Sequence, residues 1–236
     1  MTLSDCSIIV PFYNEAPNVE TVLREIKQTC PGAEVIAVDD GSTDQTWDII
    51  CSTPNIIGFR LSENRGQSGA LLLGLRHASR PLCVTLDGDG QNDPADISRL
   101  LAARAEMQVD IICGFREKRR DTFSRRIASR AANRIRRLFI RDGVRDTGCA
   151  LKAFPTAAVA FLTPFNGMHR YLPAVFQKGG LTIGEVSVNH RPRQSGKSKY
   201  TNLDRALRGI YDLVGVGWLL RRQVFYPPVE TKNKPS

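Results

Sequence analysis

Asp87-Gly88-Asp89 is a segment with the residue types and spacing to hold a metal ion. Alternate carboxylates with a glycine between them can both face one hard divalent cation, Mg²⁺ or Mn²⁺. Such ions take oxygen ligands and commonly share them with substrate phosphates. Gln91 adds a third oxygen at the next alternate position. Taken alone, the pattern also describes a solvated Asp/Gly turn. Two more acidic or polar clusters, Pro11-Phe12-Tyr13-Asn14-Glu15 and Asp39-Asp40-Gly41-Ser42, likewise follow short apolar runs. A metal in such company would neutralise a leaving diphosphate.

The runs ahead of these clusters read as strands. Residues 7–10, 35–38, 56–61, 82–86 and 111–114 are short, rich in β-branched side chains and apolar on both faces, the pattern of buried parallel strands. Helical spacing occupies 18–28, 43–51, 69–78 and 96–107, the last opening just after Pro94. Strand–helix alternation at this interval predicts an α/β fold, a mostly parallel doubly wound sheet with helices on both faces. Ligands of such sheets bind at the carboxyl ends of the strands, where all three clusters fall. No P-loop is present, and no G-x-G-x-x-G follows a strand, so dinucleotide and ATPase readings fall. Beyond Asp146 the chain turns to Gly/Pro-punctuated segments, a basic loop over 190–200 and a helical stretch over 202–224. The expected organisation is a catalytic domain over 1–201, an amphipathic helix over 202–226 and a flexible tail over 227–236.

Composition narrows the class. With 42% hydrophobic and 24% charged residues the chain is neither disordered nor fibrous. The longest charge-free run, 153–169, contains Pro155 and Pro164, whereas a membrane-spanning helix needs about 20 mainly apolar residues. The N-terminus does not read as a signal peptide. Six scattered cysteines without a CxxC pair read as small buried hydrophobes of a reducing, cytosolic-side protein. The net charge of +9 is concentrated: residues 116–145 hold 12 basic and 3 acidic side chains, and the remainder of the chain cancels. Arg126, Arg130, Arg134, Arg137 and Arg141 recur at helical steps, suggesting one cationic helix face.

Taken together, these segments resemble the ordered signature of family 2 inverting glycosyltransferases with the GT-A fold: Val10 to Glu15, Val38 to Asp44, Asn64-Arg65-Gly66, and Asp87 to Pro94. Arg193-Gln194-Ser195-Gly196-Lys197-Ser198-Lys199-Tyr200 resembles the R-x-x-G-x-S-K-Y element of the polyprenyl-phosphate branch, typified by dolichyl-phosphate mannose synthases. After Asn64 this chain has Gln67 and Ser68 where the family commonly places a lysine near the second glycine. The resemblance implies that Pro11, Tyr13, Glu15 and Asp40 hold base and ribose, with Asp39 beside them. It implies that Asp87, Asp89 and Gln91 bind Mg²⁺ or Mn²⁺ and the diphosphate of a nucleotide sugar, with Arg193 and Lys199 on a loop closing over it. Arg116, Arg125 and Ser129 match acceptor-phosphate positions, and Asp146 matches an acidic position facing the sugar. Asp89 and Asp146 are the implied catalytic pair.

Chemistry separates two acceptors. A hydroxyl needs a general base, for which Asp146 is the natural choice. A phosphomonoester, with a second pKa of about 6, is already largely a dianion at neutral pH and needs only cations to dock it. The expected reaction is metal-dependent inverting transfer from GDP-mannose or a UDP-sugar to polyprenyl or dolichyl phosphate. The alternative is transfer to a sugar hydroxyl of a cell-surface polysaccharide. The basic helix over 202–224, with Trp218, suits either an anionic membrane surface or docking on the core. Work at a membrane would then be peripheral, on its cytosolic face, or through a membrane partner protein. Nucleic acid is not expected, because recognition aromatics are scarce around the basic segment. His77, His169 and His190 are isolated and receive no chemistry.

Overall fold

The computed structural model describes residues 1–117, 140, 142–192 and 202–225, with backbone alone for 202–210. Seven strands form one sheet: β1 (Cys6–Phe12), β2 (Glu34–Asp39), β3 (Ile57–Arg60), β4 (Leu82–Thr85), β5 (Ile111–Arg116), β6 (Lys152–Pro155) and β7 (Ile183–Val188). Their order is β3-β2-β1-β4-β6-β5-β7. All are parallel except β6, which runs antiparallel to both β4 and β5. The five strands expected from sequence are all present. One differs in environment: β3 is an edge strand and mostly exposed, because only β2 pairs with it.

Alternation along the buried strands builds two cores, one on each face. Ile8, Val10 and Phe12 join Val35, Ala37 and Leu86 under α1 (Ala16–Thr29), α2 (Thr46–Ser52) and α4 (Asp96–Glu106). Ile9, Ile36 and Val38 face α3 (Gly66–Arg76) and α5 (Leu172–Lys178). Helix α1 follows its apolar spacing, burying Val19, Val22, Leu23 and Ile26. Helix α3 begins three residues ahead of the expected 69, and Gly74 sets its distance from the sheet. A Cβ there would lie 2.5 Å from Ile9 Cγ2, so the close approach requires glycine.

Helix α6 (Asn202–Arg222) has two characters. Leu213 and Val216 are buried with Ile140, Tyr171 and Ala174. Tyr211, Val214 and Trp218, on the same helix, are 82%, 59% and 64% exposed. Core docking and an exposed apolar face are thus both present. Among the described residues no helix is long and apolar enough to cross a membrane. The six cysteines are unpaired; five are buried and Cys51 is exposed.

Candidate active site

The loops after β1 and β2 form one ledge because their polar groups satisfy each other. Asn14 sits at φ 51°, and its N–H donates to Ser42 Oγ at 2.9 Å, while Thr43 N–H returns a bond to Asn14 Oδ1 at 2.8 Å. Glu15 N–H donates to Thr46 Oγ1 at 3.0 Å. Pro11 and Tyr13 are half-buried beside this ledge. Asp39 is wholly buried, with Oδ1 accepting Ser42 N–H at 3.0 Å and Oδ2 lying 3.1 Å from Arg60 Nε. Asp40 accepts Arg65 N–H at 2.8 Å and Asn64 Nδ2 at 3.0 Å, and burial raises its pKa. Both aspartates therefore clamp their own loops. A cavity of about 500 Å³ opens alongside, lined by Gly41, Ser42, Thr43, Arg60, Leu61 and Ser62.

The turn carrying the expected metal ligands, Asp87 to Gln91, follows β4 at the adjoining strand end. Gly88 packs onto β1 so closely that a Cβ would lie 2.4 Å from Phe12 Cδ1 and 2.7 Å from the Pro11 carbonyl oxygen. Asp87 Oδ1 accepts the Gln67 amide at 2.6 Å, and Asp89 Oδ1 accepts Gln91 N–H at 3.1 Å. Burial and then the Asp89 charge push the Asp87 pKa up to about 6, against the pull of Lys152 and Arg116. The part of that elevation due to Asp89 is one that a cation would relieve. Among the described residues no group of three or more His, Cys, Asp and Glu is placed to hold a metal. Two carboxylates and an amide instead suit an ion that keeps waters and shares phosphate oxygens, as Mg²⁺ does.

Arg116 and Asp146 were read from sequence as separate contacts. In the structure they form a bidentate pair: Arg116 Nε lies 2.7 Å from Asp146 Oδ2 and Nη2 lies 2.9 Å from Oδ1, with side chains 15% and 10% exposed. Arg145 is also matched, by Glu185 at 2.9 Å, and stacks 3.8 Å over Phe115. Arg125, Ser129, Arg193 and Lys199 lie outside the described residues, as does the expected arginine face between 126 and 141.

Several residues on this rim carried no sequence signal of their own. Lys152 is buried at the start of β6, its Nζ donating to the Cys149 carbonyl, and its charge acts on Asp87. Arg191 pairs with Glu25 at 2.6 Å and Asp93 at 2.9 Å, and its N–H donates to the Gln91 carbonyl at 2.9 Å. It ties the start of the basic loop to the Asp87–Gln91 turn and Asp93. His169 Nδ1 lies 2.8 Å from Ser68 Oγ, next to Gln67.

Residues 7–161 match the sequence pattern described as Glycosyl transferase family 2. The chain belongs to this family. It is 30% identical over 222 residues to an undecaprenyl-phosphate 4-deoxy-4-formamido-L-arabinose transferase from Edwardsiella ictaluri, covering 90% of this chain and 68% of the relative. It is 33% identical to a dodecaprenyl-phosphate galacturonate synthase from Rhizobium johnstonii, covering 92% of this chain and 68% of that protein. The chain thus spans about two thirds of the length of these relatives. Among solved structures, glucosyl-3-phosphoglycerate synthase from Mycobacterium tuberculosis, in complex with Mn²⁺, UDP and glucosyl-3-phosphoglycerate, superposes with a TM-score of 0.69. Its identity is 19%, with 92% of this chain and 79% of that chain covered. Another crystal of the same synthase holds Mg²⁺ and UDP. These likenesses carry the GT-A glycosyltransferase fold that the family 2 resemblance implied.

Proposed function

We propose that this family 2 glycosyltransferase moves a sugar from a nucleotide sugar to a polyprenyl or dolichyl phosphate. One observation carries the choice of acceptor: both carboxylate oxygens of Asp146 are held by Arg116. A carboxylate in a bidentate guanidinium pair is stabilised in its ionised form and makes a poor proton acceptor. A phosphate dianion needs no such acceptor. The relatives named for undecaprenyl and dodecaprenyl phosphate support the same reading.

Within this reading, Asp87, Asp89 and Gln91 would hold Mg²⁺ or Mn²⁺, which would neutralise charge on the departing nucleoside diphosphate. The Gln67 bond fixes the Asp87 carboxylate, and Gly88 lets the turn lie against Pro11 and Phe12. The ledge of Asn14, Ser42 and Thr43 with Asp39, Asp40 and the adjoining cavity presents the site for the nucleoside, GDP- or UDP-linked. Arg116 stays charged, paired with Asp146. Arg125, Ser129, Arg193 and Lys199 are assigned to acceptor and diphosphate on the resemblance.

A lipid acceptor would put the work at a membrane, on its cytosolic face in this reading. Residues 1–201 would be the catalytic unit. The exposed Tyr211, Val214 and Trp218, followed by exposed Arg221 and Arg222, give α6 the chemistry to rest in an anionic lipid surface.

A panel of radiolabelled nucleotide sugars with Mg²⁺ or Mn²⁺ and a short-chain polyprenyl phosphate tests the proposal. Label should become extractable into organic solvent with at least one donor, and Asp89→Ala should abolish it. Label entering a soluble sugar acceptor, with none entering lipid phosphate, would sink the reading.

A further inference from the structure

His169 lies on the rim of the site, and none of the steps above uses it. Its Nδ1 is 2.8 Å from Ser68 Oγ, and the same Oγ accepts the Gly167 N–H at 3.0 Å. Ser68 is buried, and its hydroxyl carries one proton. Gly167 N–H can only donate, and of the two described partners of Ser68 Oγ only Nδ1 can accept its proton, which assigns the imidazole proton to Nε2. Burial, with the nearby charges of Arg170 and Lys152, lowers the His169 pKa to about 3, so the ring is neutral at physiological pH. Nε2–H is a fixed, uncharged donor. Among the described residues nothing accepts it.

The surroundings place this donor near the reacting end of the site. Ser68 follows Gln67, whose amide reaches Asp87 at 2.6 Å. Lys152, buried on β6, stands in register with Thr85, two residues before Asp87. A diphosphate there is served by cations; a neutral N–H adds direction without charge. That suits an oxygen of the transferred sugar.

We infer that His169 Nε2–H is a specificity-determining contact, donating a hydrogen bond to an oxygen substituent of the sugar being transferred. The inference rests on the nucleotide-sugar reading above. A site built to bond a substrate oxygen discriminates strongly against ligands that lack it, because its own polar group is then left unpaired.

Calorimetric titration of the full chain with Mn²⁺ tests it, using UDP and GDP against UDP-glucose, UDP-galacturonate and GDP-mannose. At least one sugar nucleotide should bind wild type roughly tenfold tighter than its parent diphosphate. In His169→Asn the side-chain oxygen still accepts the Ser68 proton, but nothing reaches the Nε2 position. That variant should lose the sugar advantage while keeping wild-type affinity for the diphosphate. His169→Gln, which extends an N–H to the Nε2 position, should recover most of the advantage. Equal weakening of sugar nucleotide and diphosphate in His169→Asn would mean a merely structural role and overturn the inference. So would an unchanged sugar advantage in that variant, or a wild type that prefers none of the sugar nucleotides. Should wild type bind neither UDP nor GDP, the nucleotide-sugar reading itself fails, and the inference with it.

Discussion

Asp146→Asn separates the two acceptor chemistries, and the structure sets the size of each effect. The Arg116–Asp146 pair has two side-chain bonds of 2.7 and 2.9 Å and is nearly shielded from solvent. Removing one partner of a buried pair costs about 3–5 kcal/mol, because the other charge is left behind. Asparagine retains one oxygen acceptor, so about 2–3 kcal/mol is expected here. Urea unfolding should therefore register a clear loss of stability. Turnover at saturating donor and polyprenyl phosphate should fall by less than about tenfold, since no proton acceptor has been removed. Arg125→Ala, at a position resembling an acceptor-phosphate contact, should reduce turnover or acceptor affinity more. A general base would behave otherwise, with kcat dropping about 10²–10⁴-fold and the acid limb of the pH–rate profile disappearing. That outcome, with folding stability intact, would refute the argument that a clamped carboxylate leaves the phosphate as nucleophile.

Three further expectations follow from the same geometry. Gly88→Ala forces a Cβ to within 2.4 Å of Phe12, so it should cost about 1–3 kcal/mol in urea unfolding and weaken the Mn²⁺ requirement curve; an unchanged protein would mean the turn is not fixed by β1. His169 is neutral in the fold, with its pKa down from 6.5 to about 3, while the unfolded chain takes up a proton below 6.5. Its stabilisation is complete above pH 6.5 and is lost as pH falls toward 3, by about 2 kcal/mol at pH 5. His169→Asn should flatten the difference between unfolding free energies at pH 7 and pH 5 by that amount, and an equal acid loss in both proteins would contradict the assignment. Trp218→Ser should weaken sedimentation with anionic vesicles by about 10-fold or more, with Arg221→Glu/Arg222→Glu removing the preference for anionic lipid; binding unaffected by either change would leave α6 without a membrane role.

What could be read from sequence was local. β1, β2, β4 and β5 are buried on both faces, so each appears as an uninterrupted apolar run, and the clusters that close them were visible for the same reason. β3 appeared too, although its edge position, which decides its exposure, is a property of the whole sheet. β6 is only four residues long and contains Lys152 and Pro155, which hide it from any hydrophobic pattern. Helix α5 and strand β7 follow it in a stretch punctuated by glycine and proline. Arg116 and Asp146 were each singled out by resemblance, but nothing local indicates that residues 30 apart pair with one another. The Ser68–His169 contact spans 101 residues, so a lone histidine in sequence gains its partner only once the chain is folded.

The single antiparallel strand has a topological consequence. β5 ends at the catalytic rim, and β6, running the opposite way beside it, begins at that same rim, where Gly114 N–H bonds the Leu151 carbonyl at 2.8 Å. The two ends of the intervening chain therefore meet at one end of the sheet, where Arg116–Asp146 fastens them together. Closing such an excursion costs conformational entropy that grows only slowly with its length. A change of length between those two fastened ends would thus cost little in loop-closure entropy.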